Sequence, residues 1–331
     1  MFDVPIVDLS PYLDGDPAVR PRTAIALDRA CCEVGFVQLV GHGVRPRSVA
    51  ALSDAVDAFF ALPPERKQAL IVTDGTNRGY SPPRSESLSR SLGVEQTGNM
   101  NDYFEAFNVG TAADGPDSGG DGNVWPDLPG FREAVETWTR EARRVVRALA
   151  SALGDALGDR DVLHRLADDP VQVLRLNHYA LEEQDLPEGA DLSGMGEHTD
   201  YGLVTVLWAD RVPGLQVLHE GTWQDVLPAP NALLVNLGDL TAHLTGDRWR
   251  STLHRVRPPV RDGRVLRRRS AAFFHDGDPD AVVRTLPLPG AVPYPATTVR
   301  EHLARKLAGS RTGTPNTTAG REAARVREAA R

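Results

Sequence analysis

The chain has 331 residues and a mass of 35.9 kDa, with 41% hydrophobic and 25% charged residues, a globular composition rather than a disordered or membrane one. Lys and Arg total 37 against 45 Asp and Glu, a formal net charge of −8, which argues against a uniformly basic nucleic-acid surface because phosphate binding needs clustered positive charge. At this length roughly three quarters of the unfolded chain's surface can be buried, so stability requires neither disulfides nor a structural metal.

The N-terminal third alternates short strands with helices. Residues 1–16 (MFDVPIVDLSPYLDGD) have no basic segment followed by a continuous apolar run, so no signal peptide is expected. Ala24, Ile25, Leu27, Ala30, Cys31 and Val34 recur at helical spacing, predicting a helix from about Thr23 to Val34. Its adjacent cysteines, Cys31 and Cys32, are poorly placed to form a disulfide with each other, which favours a reducing, cytoplasmic compartment. Residues 35–44 (GFVQLVGHGV) read as a buried strand, and 47–61 as an amphipathic helix stopped by Pro63 and Pro64. Residues 111–123 (TAADGPDSGGDGN) are nearly all turn formers, a surface loop that could act as a lid or be a plain insertion. A long helix follows from about Phe131 to Leu157, striped by Ala134, Trp138, Ala142, Val145, Val146, Leu149 and Leu153.

From Val171 the period changes to two. QVLRLNHYA, GLVTVLW, GLQVLH, TWQDVLP, ALLVNLGDL, TLHRVRPP and RRSAAFFHD are short strand candidates separated by Gly, Pro, Asn and Asp. Such spacing predicts an antiparallel sandwich or barrel rather than βαβ units. A final helix is expected from about Thr298 to Leu307, leaving 309–331 as a flexible polar tail. No linker separates the two halves, so residues 1–308 read as one domain, with a helix-rich region over 1–160 and a strand-rich core over 171–295.

His198 and Asp200 would project to the same face of a strand. Alone the pair says little, since chance predicts about 0.8 His-x-Asp pairs in a chain of this composition. A second histidine, His254, stands in a later strand candidate, and two histidines with one carboxylate leave three adjacent coordination positions open, as non-haem Fe(II) oxygen chemistry needs. Further on, Arg268 and Ser270 share a strand face with Ala272 and Phe274, and a buried guanidinium beside a hydroxyl suits a distal carboxylate. Arg267 and Arg269, on the opposite phase, read as a solvated basic face. Among the other histidines, His42, His178, His219, His243 and His275 read as structural or exposed.

At this point GEHTDYGLVTVL, GLQVL, TWQDV, ALLVNLGDL, LTGDRWRSTLHRV and RRSAAFF resemble the isopenicillin-N-synthase-like Fe(II)/2-oxoglutarate-dependent oxygenases. VPIVDLS, EVGFVQLVGHGV, NRGYSP, EAFNVG and VWPDLPGFR are similar to the same family's N-terminal region, in order from about residue 4 to 308. The resemblance implies a distorted double-stranded β-helix (jelly roll) flanked by helices, a mixed α and β, β-rich fold. It implies Fe(II) ligands His198, Asp200 and His254, with Arg268 and Ser270 on the C5 carboxylate of 2-oxoglutarate and Asn177 and Tyr179 lining the co-substrate pocket. Ala180 replaces the proline usual after that tyrosine. Arg78, Tyr80, Tyr103 and Phe107 would approach the substrate at the mouth of the site.

The chemistry so implied is the O2-dependent oxidation of an unactivated C–H bond of a small molecule, by hydroxylation, desaturation or oxidative cyclisation, as 2-oxoglutarate is converted to succinate and CO2. Asp200 stands where halide-installing relatives carry a small residue, which disfavours halogenation. High Arg and Ala usage suggests a GC-rich bacterial source and is compatible with specialised metabolism such as antibiotic biosynthesis. The alternatives are an Fe(II) oxidase of the same fold that does not use 2-oxoglutarate, a zinc hydrolase, and a non-catalytic jelly-roll binding protein. Neither nucleic acid nor a membrane is an expected partner, and a monomer satisfies the sequence.

Overall fold

A computed structural model of the chain describes residues 2–86, 88–92, 102–110, 122–180, 194–258, 260–261 and 264–312. Its first strands are β1 (Ile6–Asp8), β2 (Phe36–Val40), β3 (Gly79–Ser81), β4 (Glu105–Gly110) and β5 (Val171–Tyr179). Next come β6 (Met195–His198), β7 (Val204–Ala209), β8 (Leu215–His219), β9 (Thr222–Asp225), β10 (Leu233–Leu237) and β11 (His254–Val256). The last are β12 (Val260–Arg261), β13 (Arg264–Val265), β14 (Arg268–Gly277), β15 (Val282–Val283) and β16 (Thr297–Thr298). The helices are α1 (Arg20–Glu33), α2 (Pro46–Phe60), α3 (Pro64–Gln68), α4 (Phe131–Ala156), α5 (Val162–Arg165), α6 (Asp239–Leu244) and α7 (Val299–Thr312).

Two sheets form the jelly-roll core. The larger runs β1-β2-β10-β7-β14-β5-β4-β3 and the smaller β6-β11-β8-β9, while β12–β13 and β15–β16 are separate ribbons. Strands β1 to β4 thus extend the same sheet that holds β5, β7, β10 and β14. The alternation of side chains divides this sheet between two tasks. On β14, Ala271 and Phe273 enter the core beneath the helices, whereas Arg268, Ser270, Ala272, Phe274 and Asp276 line a cavity between the sheets. On β5, Leu174 and Leu176 join the same core while Val173, Arg175, Asn177 and Tyr179 face the cavity.

Helix α4 covers the outer face of the large sheet. Pro129 and Gly130 set its start, the glycine at φ 77° where a side chain would be strained. Trp138, Ala142, Val145, Val146, Leu149 and Leu153 are each at most 2% exposed. Burying a large apolar side chain contributes about 1.5–3 kcal/mol, so this stripe holds the helical layer on the sheet. Among the described residues no helix is long and apolar enough to cross a membrane.

Several local readings change. The strand expected through ALLVNLGDL stops at Leu237, and Gly238 opens α6. A Cβ at Gly238 would lie 2.1 Å from the Gly202 carbonyl oxygen, so the close approach of these two segments requires glycine. Helix α7 continues to Thr312, beyond the expected start of the tail, and residues 313–331 lie outside the described residues. So do residues 111–121 of the expected loop and 181–193 after Ala180. Arg267 is exposed, as a solvated base would be, and pairs with Asp57 on α2 at 3.0 Å, whereas Arg269 is half-buried and bonds both Asp57, at 2.5 Å, and Asp210. They tie β14 to the helical layer.

Candidate active site

His198, Asp200 and His254 are buried together, with ligand atoms all within 4.8 Å of one another, a spacing that one metal ion could bridge. The pairing of β6 with β11 puts His254 directly opposite His198, and the ring centroids are 4.2 Å apart. Asp200 does not share the strand with His198, since β6 ends at His198. The chain turns through Thr199 and brings Asp200 Oδ1 to 3.9 Å from His198 Nε2 and 3.7 Å from His254 Nε2.

The surrounding groups fix which atoms face the gap. His198 Nδ1 donates to the Gly196 carbonyl at 2.7 Å and His254 Nδ1 to the Thr252 carbonyl at 3.0 Å, so each Nε2 keeps its lone pair for a ligand. Burial, and then the neighbouring His254, hold His198 well below the usual histidine range, although Asp200 acts in the opposite direction. The imidazole is therefore neutral. Asp200 Oδ2 accepts from Thr205 Oγ1 and, at 2.6 Å, from Asn236 Nδ2, which turns Oδ1 toward the histidines. Two imidazole Nε2 atoms and one oriented carboxylate oxygen fit a divalent first-row metal with open positions.

The cavity beside this triad measures about 280 Å³. Arg268 lies on its wall at 2% exposure, and its Nε and Nη1 find no hydrogen-bond partner among the described residues. The Tyr179 ring, 5.0 Å from the guanidinium carbon, partly offsets that charge. A buried, unpaired guanidinium is costly unless an anion completes it. Strand register puts Ser270 opposite Asn177 and Arg268 opposite Tyr179. Asn177 Nδ2 donates to Ser270 Oγ at 3.4 Å, and Arg175 Nε donates to Asn177 Oδ1 at 3.1 Å. Arg175 in turn pairs with Glu86 at 3.0 Å. The residue types around the cavity suit a dicarboxylate held at one end by cationic metal and at the other by Arg268.

Of the four residues expected at the substrate, Arg78 lines the cavity, its guanidinium lying against Gly110, where a Cβ would be 1.8 Å from it. Tyr80 and Phe107 do not. Register pairs Tyr80 with Phe107 and Phe107 with Leu176, the core-facing phase, so both rings pack beneath the helices. Tyr80 donates to Glu105 there at 2.5 Å. Tyr103 is half-buried outside the cavity, its ring under the Arg84 guanidinium. Sequence reasoning misses Thr205 and Asn236, although each is a polar residue at an inward position of an otherwise apolar strand. Tyr201, Asp276, Leu303 and Leu307 complete the wall. Burial, with the nearby Asp200 charge adding to it, pushes Asp276 up to about 7.

This arrangement defines a non-haem iron oxygenase. Residues 4–128 match the family described as non-haem dioxygenase in morphine synthesis N-terminal, and residues 170–277 match the 2OG-Fe(II) oxygenase superfamily. The chain is 33% identical to a 2-oxoglutarate-Fe(II) type oxidoreductase, hxnY, of Emericella nidulans, over 90% of this chain and 87% of the relative. It is 32% identical to validamycin A dioxygenase of Streptomyces hygroscopicus subsp. limoneus, over 92% of this chain and 85% of that one. Among solved structures, a full-length Neurospora crassa protein in complex with alpha-KG and thymine superposes with a TM-score of 0.80 at 28% identity, covering 92% of this chain and 96% of that one. A 2OG-Fe(II) oxygenase family protein from Caulobacter crescentus gives 0.76 at 28% identity, with 92% and 98% covered. The chain belongs to the 2OG-Fe(II) oxygenase superfamily and is an Fe(II)- and 2-oxoglutarate-dependent dioxygenase.

Proposed function

We propose that the enzyme oxidises an unactivated C–H bond of a small molecule bound between β14 and α7, with His198, Asp200 and His254 holding Fe(II). Arg268 and Ser270 take the distal carboxylate of 2-oxoglutarate, and Asn177 and Tyr179 line its pocket. The observation that carries this reading is the Arg268 guanidinium, its Nε and Nη1 unpartnered among the described residues, sharing one cavity with the pre-oriented His198, Asp200 and His254. When bound, the iron and 2-oxoglutarate supply O2-dependent oxidation, with succinate and CO2 as co-products.

The chain's own residues bind, orient and exclude water. Thr205 and Asn236 hold Asp200, the Gly196 and Thr252 carbonyls hold the imidazole tautomers, and Leu303 and Leu307 wall the side where substrate would lie. Arg78 and Asp276 offer polar contacts there. The similarity to validamycin A dioxygenase supports a place in specialised metabolism, and the free thiols Cys31 and Cys32 support a cytoplasmic setting. Hydroxylation, desaturation and oxidative cyclisation share these requirements and differ only in substrate placement.

An anaerobic titration of Fe(II)-loaded protein with 2-oxoglutarate tests the reading. A visible charge-transfer band is expected in the wild type and not in His198→Ala. Iron bound without a band would refute this mode of 2-oxoglutarate binding.

A further inference from the structure

Lysine is among the residues least often buried, because an ammonium taken out of water must be paired. Lys306, on α7, is 1% exposed. Its Nζ lies 2.7 Å from Asp239 Oδ2, and both side chains are almost fully buried. A well-packed apolar pair of similar volume would stabilise the fold at least as well, so stability alone does not account for an ion pair here.

Its contacts suggest what it does instead. Asp239 Oδ2 also accepts from Thr199 Oγ1 at 3.0 Å, and the Asp239 backbone N–H donates to the Asp200 carbonyl oxygen at 2.8 Å. The Lys306 ammonium stands 5.5 Å from the centre of the Tyr201 ring. The paired side chains thus contact Thr199 and Tyr201 on either side of Asp200, and the backbone of the same Asp239 holds Asp200 itself. Thr205 and Asn236 grip the Asp200 side chain, while Asp239 grips its backbone. Leu303 and Leu307, flanking Lys306 on the same helix, line the cavity.

We propose that Lys306 is a positioning residue that couples the seating of α7 to the geometry of the metal-ligand segment. This rests on the reading of His198, Asp200 and His254 as the metal site. The helix that walls the substrate side of the cavity thereby sets the carboxylate ligand, and a site with α7 displaced holds metal poorly.

The test uses the full chain, Co(II) as the probe metal read by its visible absorption, and thermal melts of the metal-free protein. Lys306→Met is expected to weaken Co(II) binding by about tenfold or more, the range seen when partners of metal ligands are removed, and to alter the Co(II) spectrum well below its melting temperature. Lys306→Met with Asp239→Asn removes both charges. It should recover much of the melting temperature lost by the single variant, yet keep the weaker affinity and altered spectrum. Should the single variant not fold, the double variant's affinity decides. Affinity within twofold of wild type in the single variant, or restored in the double, would overturn the proposal, because Lys306 would then only neutralise Asp239. A wild-type chain that takes up no Co(II) refutes the metal reading itself, and the inference with it.

Discussion

Replacing Arg268 by Met should make the metal-free, ligand-free enzyme more stable and its 2-oxoglutarate complex less so. Arg268 is 2% exposed, and two of its three guanidinium nitrogens lack a hydrogen-bond partner among the described residues. Breaking a buried pair so that one charge is left alone costs about 3–5 kcal/mol, and the wild type without ligand already resembles that state. The Tyr179 ring returns part of it, about 1–2 kcal/mol. Met fills a similar volume without charge, so a net gain of roughly 1–3 kcal/mol is expected, or about 2–6 °C in melting temperature. With 2-oxoglutarate present the order reverses. Losing one partner of a desolvated carboxylate pair costs about 3 kcal/mol, which is roughly a hundredfold in Kd. The assay is a set of thermal melts with and without metal and increasing 2-oxoglutarate, in which ligand at 100 times Kd stabilises the wild type by about 2.7 kcal/mol. The two stability curves should cross as 2-oxoglutarate is added. A variant that melts lower without ligand, or that keeps its 2-oxoglutarate affinity within about threefold, refutes the anchor.

Three further outcomes follow from contacts around the site. Asn236→Ala removes a 2.6 Å hydrogen bond from Asp200 Oδ2 and should weaken metal binding about 10–100-fold, read by Co(II) titration; unchanged affinity would mean that Thr205 alone orients the carboxylate. Asp276 has its folded-state pKa raised to about 7 by burial and the nearby Asp200, so between about pH 4 and pH 7 the folded protein holds a proton that the unfolded chain has released. Its contribution to stability is present below the unfolded pKa and lost as pH rises, so the melting-temperature advantage of metal-free Asp276→Asn should grow over that window and then level; a constant difference would contradict it. Glu105→Ala strands Lys67, Tyr80 and His178, which bond its carboxylate at 2.7, 2.5 and 2.9 Å, and should cost roughly 3–5 kcal/mol in denaturant unfolding while leaving metal affinity intact. A loss of metal affinity there would show that the two faces of the large sheet are not independent.

What the sequence made legible was periodic and local. Alternation in RRSAAFFHD placed Arg268, Ser270, Ala272 and Phe274 on one face, and the 3.6-residue stripe of α4 located the helical layer. The errors came where position depends on distant partners. Asp200 sits on a turn after β6, because the backbone of α6 receives it there through the Asp239 N–H. Tyr80 and Phe107 lie in segments adjoining the site, but the phase of β3 and β4 is set by pairing to β5, which turns both rings into the core. Lys306, Leu303 and Leu307 sit in a stretch that reads only as a final helix, and its packing alone brings the two leucines to the cavity and Lys306 to Asp239. Asn236 was readable, since an amide at an inward position of LLVNL has no apolar role.

The two faces of the large sheet also explain how the enzyme tolerates its own active site. The inner face carries a guanidinium with two nitrogens unpartnered among the described residues and an acid that burial forces toward neutrality, and it looks across the cavity at the His198, Asp200 and His254 cluster at the end of the smaller sheet. None of these groups favours folding of the empty protein. The strands of the large sheet, one residue out of phase, present Leu174, Leu176, Val206, Val235, Ala271 and Phe273 to the core beneath the helices, and Arg269 joins β14 to α2 through Asp57. Stability concentrated on the outer face lets the inner face stay preorganised for ligands rather than optimised for itself. A substitution on the inner face should therefore trade binding against stability with opposite signs, whereas one on the outer face should lower stability and leave binding alone. A period-two strand is well suited to this separation, because a shift of one residue exchanges the chemistry for the core.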